Sequence, residues 1–290
     1  MKKRICLFLT FFCLFEYLHA QSISLVFSPS VGSCHKVEII KDSYAANQTL
    51  NSEISIGTST RMYYLLSFNT LEFANNIYLI ALTVDSTSIS MQSGVDSYAG
   101  YFPGGNIQRK NDFLGTTAML HISIQGKILD INLIEENASS FLSHQSGLNI
   151  DAMRTNMIRE LVCMVIPEYV SESLGTGQTW DCVDSVNTGL HKYVEMSQYM
   201  LTDYNSNYAD LSLLSTIESE RSEEYIELSG MKMKMNQSGT TFGTIRVNRN
   251  SGWVVASEWQ KDLVTETVLE SLPMSVPPLP SKEKITVKEI

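Results

Sequence analysis

Apolar and polar residues alternate over 22–27, 37–40, 62–68 and 78–84, with branched and aromatic side chains on the apolar beat and turn residues between the runs. This pattern predicts a meander of antiparallel strands. A turn at Gln125-Gly126 joins a run ending Leu120, Ile122, Ile124 to Ile128-Leu-Asp-Ile-Asn-Leu133, which predicts a hairpin with those three apolar residues on one face. From Asn149 the period changes. Ile150, Met153, Met157, Leu161 and Met164 recur at steps of three or four, so a single amphipathic helix is expected over about 150–165. Asn149 is its N-cap and Pro167 stops it. Strand patterning resumes over 169–173, 180–186, 194–201, 209–217, 224–235, 241–247 and 253–259. The fold class is therefore mainly β with few helices, an antiparallel α+β arrangement. Four of seven prolines fall within 273–280, ahead of a charged end, and residues 273–290 read as an extended tail.

The two β-rich stretches, about 22–135 and 167–260, repeat one order of parts. Gly115-Thr-Thr, Ile122-Ser-Ile124 and Gly126-Lys-Ile-Leu are followed later by Gly239-Thr-Thr, Ile245-Arg-Val247 and Gly252-Trp-Val-Val. Upstream, Tyr64-Leu-Leu echoes in Tyr199-Met-Leu, and Gly32 with Cys34 in Gly177 with Cys182. Two similar β-halves joined by the helix would give this order, and so would common hairpin grammar.

The first twenty residues stand apart. Lys2, Lys3 and Arg4 precede a Leu- and Phe-rich run and then Leu18-His19-Ala20, the three parts of a secretory signal. Cleavage after Ala20 is expected, leaving a domain over 21–272 in the periplasm or outside the cell. The apolar run is shorter than the roughly 20 residues that span a bilayer, and no later segment reads as a transmembrane helix. Gln21 occupies the position where a lipoprotein needs a cysteine. The formal charge of the whole chain is −10, and losing Lys2, Lys3 and Arg4 makes the remainder more acidic, which argues against nucleic acid and anionic membranes as partners. Cys34, Cys163 and Cys182 remain after cleavage, so one disulfide is possible. If the halves pair symmetrically, Cys34 and Cys182 are the partners.

No catalytic constellation emerges, and no metal site or cofactor is implied. Ser33-Cys-His-Lys36 fits S-x-x-K, but K-T-G is missing and the surroundings are strand-like. The histidines fall at no metal-binding spacing. Met231-Lys-Met-Lys-Met235 reads either as a soft copper site or as a strand with Met on one face. Gly175-Thr-Gly177-Gln-Thr-Trp180 is a turn rather than a phosphate loop, because a strand follows it.

The signal peptide, meander, Gly126 hairpin, helix ending at a proline, Gly177-Gln-Thr-Trp180 turn and Gly252-Trp253 hairpin together resemble a family of exported bacterial proteins of unknown function. The resemblance implies a curved half-barrel like that of the lipoprotein-localisation factors LolA and LolB. On that shape Leu120, Ile122, Ile124, Phe242, Ile245 and Val247 face a concave side covered by Met153, Met157 and Leu161. The expectation is a non-enzymatic module for an apolar ligand such as a lipid or acyl chain. The alternatives are a structural or interaction protein of the envelope and a hydrolase whose site is assembled across the fold. Exported material should begin at Gln21 in N-terminal sequencing, and a mature product that retains residues 1–20 would sink that reading.

Overall fold

The computed structural model describes residues 22–48, 55–95, 107–110, 117–134, 150–187, 192–219, 225–228, 231–270 and 276–290. The expected signal segment, Asn149, His144 and His191 lie outside these residues. Thirteen strands form one antiparallel sheet. In chain order they are β1 (Cys34–Gln48), β2 (Ser55–Ala74), β3 (Ile77–Val95), β4 (Ile107–Lys110), β5 (Thr117–Ser123), β6 (Ile128–Ile134), β7 (Thr179–Asn187), β8 (Lys192–Tyr204), β9 (Tyr208–Ser219), β10 (Ile226–Leu228), β11 (Met231–Asn248), β12 (Val254–Leu269) and β13 (Leu279–Glu289), with helix α1 (Ile150–Cys163) between β6 and β7. Spatially the order is β6-β5-β3-β2-β1-β13-β12-β11-β9-β8-β7, with β4 beside β3 and β10 beside β11. The path does not close, so the sheet is curved and open, with β6 and β7 as its free ends.

The register shows that the halves repeat. Ser30 to Ser33 and Gly175 to Gln178 form the same turn, closed by Ser33 N–H to Ser30 O (3.0 Å) and Gln178 N–H to Gly175 O (3.1 Å). Gly32 (φ 83°) and Gly177 (φ 85°) hold its third position, where a type II turn needs positive φ. Gly32 and Ser33 exchange backbone bonds with Thr70, and Gly177 and Gln178 exchange them with Leu201. The β2–β3 ladder then shifts between Thr70 and Glu72, and the β8–β9 ladder between Leu201 and Asp203. Ile80 pairs with both Thr70 and Leu120; Leu211 pairs with both Leu201 and Ile245. A last bulge falls at His121/Ile122 in one half and at Arg246/Val247 in the other, ahead of Gly126 (φ 79°) and Gly252 (φ 75°). The register sets Tyr199 opposite Trp180 and Phe68 opposite His35, so Phe68 rather than Tyr64 is the counterpart of Tyr199.

The halves lie head to tail along the sheet and are joined differently at their two seams. Between β1 and β12 the gap is filled by β13, which pairs with both. At the other seam α1 packs against β6 and β7. Most of the tail expected over 273–290 is thus a central strand, Leu279–Glu289. Ile285 and Val287 are buried on its inner face while Lys282, Lys284 and Lys288 alternate outward. Its prolines obscured this, yet Pro280 sits at the strand's start, where a missing donor is tolerated.

Two expected strands are extended segments instead. Residues 22–33 and 167–178 touch through a single bridge, Ile23 with Leu174, and cross one end of the sheet. Ile23, Leu25 and Phe27 are buried beneath it. Phe27 N–H donates to Ile124 O and Ser28 N–H to Ser251 O, while Tyr169 N–H reaches Gln125 O and its hydroxyl Gly252 O. Each leading segment is therefore bonded to both hairpins. Trp253 fills the junction, 4.8 Å from Phe27 and stacked at 4.4 Å on His35. Burial holds that imidazole neutral, with a pKa lowered to about 4.

Cys34 and Cys182 are free thiols and do not form the expected bridge. Five strands separate β1 from β7, at about 4.8 Å per step along the sheet. The turns also equate Cys34 with Thr179, not with Cys182.

The hairpin glycines carry a direct test. A methyl at Gly126 would overlap the Pro167 carbonyl oxygen in a backbone region that disfavours L-residues, whereas one at Gly175 would meet nothing nearer than 3.9 Å. Gly126→Ala should cost about 2–4 kcal/mol and Gly175→Ala about 0.5 kcal/mol or less by chemical denaturation.

Candidate functional site

Three charged side chains interrupt the inward faces of β1, β12 and β13. Lys41 follows Val37 and Ile39 on β1, Lys261 lies between Trp259 and Leu263 on β12, and Glu283 precedes Ile285 and Val287 on β13. Period two turns all three toward the concave side. Glu160 of α1 meets them there. Lys41 Nζ is 3.0 Å from both Glu160 and Glu283, and Lys261 Nζ is 3.9 Å from Glu160. Burial opposes the Lys41 ammonium, but the two carboxylates outweigh it and raise its pKa. Attraction to Lys41 overcomes burial at Glu160 and lowers its pKa to about 2.

Beside this cluster lies a cavity of about 350 Å³ between α1, the start of β6 and the inner faces of β7 and β8. Met153, Met157 and Met164 line its helix side, Cys182 and Tyr199 its far wall, and Lys261 its floor. A second cavity of about 270 Å³ lies across the helix against β1 and β2, sharing Met157, Glu160 and Met164. The volumes approach or fall within the range that holds small ligands, and a methionine wall adapts to shape.

The expected groove residues separate into three groups. Met153 and Met157 line the larger cavity, and Met157 and Leu161 the smaller. Leu120, Ile122, Ile245 and Val247 are at most 2% exposed in packed core, with Ile124 against it. Phe242 is 43% exposed on the outer face. It stands three residues from Ile245, so strand alternation puts the two on opposite sides. Sequence reading missed Lys41, Lys261 and Glu283, although a lone charge on the apolar beat of an alternating strand is a readable signal.

The other candidate chemistries resolve into structure. Ser33 Oγ donates to Ser30 O at 2.6 Å within its turn, and Lys36 points to solvent. Met233 is buried on β11 with Lys232 outward. Cys163 and Cys182 touch the larger cavity, but burial raises both thiols to about 12, so they stay protonated and unreactive. Among the described residues no three His, Cys, Asp or Glu side chains gather as a metal site, and no helix is long and apolar enough to cross a membrane.

Residues 75–254, from the β2–β3 turn to the first residue of β12, match the model of a family of unknown function, DUF6263. The chain belongs to this family. Of the four clustered charges only Glu160 falls within the matched stretch; Lys41, Lys261 and Glu283 lie outside it. Curated proteins give no match. Among solved structures, one of lipovitellin concerned with lipid–protein interactions matches at a TM-score of 0.50 and 11% identity, over 90% of this chain and 25% of that one. The DUF6263 chain thus spans about a quarter of the lipovitellin chain and shares its fold there. An outer membrane channel from Pseudomonas putida F1 aligns over 91% of this chain and 97% of its own at a TM-score of 0.26 and 6% identity.

Glu160 is ionised more readily in the fold than in the unfolded chain. The stability it contributes is present above about pH 4.5 and is lost as pH falls toward 2. Glu160→Gln should cost about 2 kcal/mol at neutral pH, less than the roughly 3–5 kcal/mol of a dry pair because the Glu160 side chain is 38% exposed. Urea denaturation of both proteins checks this, and the difference between them should close through the same pH window.

Proposed function

We propose that this DUF6263 protein is an exported, non-enzymatic binding module that holds an apolar ligand, such as a lipid or acyl chain, under α1. The observation that carries this reading is the methionine-walled cavity at the seam that the helix covers. A solid core needs no such space, because the same sheet packs Leu120, Ile122, Ile245 and Val247 without a gap. The fold shared with lipovitellin supports the reading, since a structure concerned with lipid–protein interactions uses the same architecture.

A second reading, an interaction protein of the envelope, draws on the outer face. Val183, Met196, Leu214 and Phe242 are 65, 43, 55 and 43% exposed on four neighbouring strands, β7, β8, β9 and β11. Exposed apolar side chains grouped in this way mark contact surfaces.

Native mass spectrometry with organic extraction, on residues 21–290 purified from a periplasm, separates the two. The expected outcome is a reproducible apolar adduct, displaced by detergent and lost in Met157→Trp, whose indole fills the space. Bare polypeptide under gentle conditions would reject ligand carriage and favour the interaction reading.

A further inference from the structure

Resting on the binding reading, we infer that the ligand is a single-chain amphiphile with an anionic head, a long-chain carboxylate, and that Lys261 receives the head. Lys261 is 7% exposed and forms part of the cavity floor beside Trp259. Its ion-pair partner is Glu160 at 3.9 Å, beyond hydrogen-bond distance, because Glu160 is drawn to Lys41 at 3.0 Å. Among the described residues this nearly buried ammonium, which lines the cavity, has no hydrogen-bond acceptor in reach, an arrangement that is costly unless a ligand completes it. Arg159 adds a second, less buried cation. It lines the same cavity with its carboxylate partner, Asp184, at 3.8 Å.

The remaining charges of the wall decide where an anion sits. Glu168 lies at the β6 side, 3.9 Å from Lys127, and Glu195 stands on β8 with no cation within ion-pair distance among the described residues. An anionic head is repelled from β8 and drawn to the β12 floor. From there the apolar chain runs along Met153 and Met157. A carboxylate oxygen accepting from Lys261 makes the charge-assisted bond that Glu160 is too far away to make. The cavity, at about 350 Å³, suits one chain rather than the two of a phospholipid.

The test titrates myristate and 1-tetradecanol, equal in chain and different in head, into residues 21–290 by displacement of a fluorescent apolar probe. Wild type should bind the carboxylate about tenfold or more tightly than the alcohol. Lys261→Met should bring the two affinities together by weakening the carboxylate alone, and Lys261→Arg should keep the preference. Equal affinities in wild type, a comparison that needs no variant to fold, would overturn the headgroup assignment and leave the cavity reading standing. So would a preference unchanged in Lys261→Met. If neither compound displaces the probe, both readings fall together.

Discussion

Glu160 is the point at which three parts of the molecule are tied. Its carboxylate meets Lys41 from the first half, and Lys41 holds Glu283 of β13; Lys261, from the second half, approaches the same oxygen. An amphipathic helix can lie on a curved apolar sheet in many orientations of similar burial. One carboxylate that must find two inward lysines removes most of that freedom. Charges taken out of water contribute little net stability compared with apolar residues of equal volume. Their effect here is on position: they fix α1 on the concave side and maintain polar groups where hydrophobic collapse would otherwise close the space.

The shared layout of the two halves explains why the helix-walled cavity lies at its own seam. Both halves have the same turns, bulges and hairpin glycines, and both leading segments bond to both hairpins. Two such meanders leave two gaps to cover. One is closed by β13 with ladders on both sides, the other by a helix that offers side chains but no backbone bonds to the strand edges. Helix-to-edge packing leaves crevices that a strand ladder does not. The cavity is thus a result of broken symmetry, and the methionines of α1 are the side chains suited to line a variable gap.

Much of this was legible in the sequence and some was not. Period-two runs marked the long strands, and the change of period at residue 150 marked α1. The repeat was visible because turns constrain residue type, so Gly32, Gly126, Gly177 and Gly252 survive in place as the strands between them diverge. Strand β13 was hidden because proline and charge are usual signs of a tail; its apolar beat, Ile285 and Val287, is only two residues long. Phe242 was misplaced because alternation fixes faces only once the register is known. The disulfide expectation failed because resemblance between halves says which residues are equivalent, not which are adjacent. In a head-to-tail arrangement equivalent residues stay far apart.

The contrast between the seams also determines where the cavity can open to solvent. Opening the sheet at β13 would break a backbone ladder on each side, and those buried donors and acceptors would lose their partners together. Displacing α1 from β6 or β7 exposes apolar side chains and strains the Glu160 pair but leaves every ladder intact. The helical seam is therefore the less costly route between cavity and solvent. Among the described residues the shortest ion pair that holds α1 is the one between Lys41 and Glu160 at 3.0 Å, so the charge cluster that positions the helix also helps to keep the cavity closed.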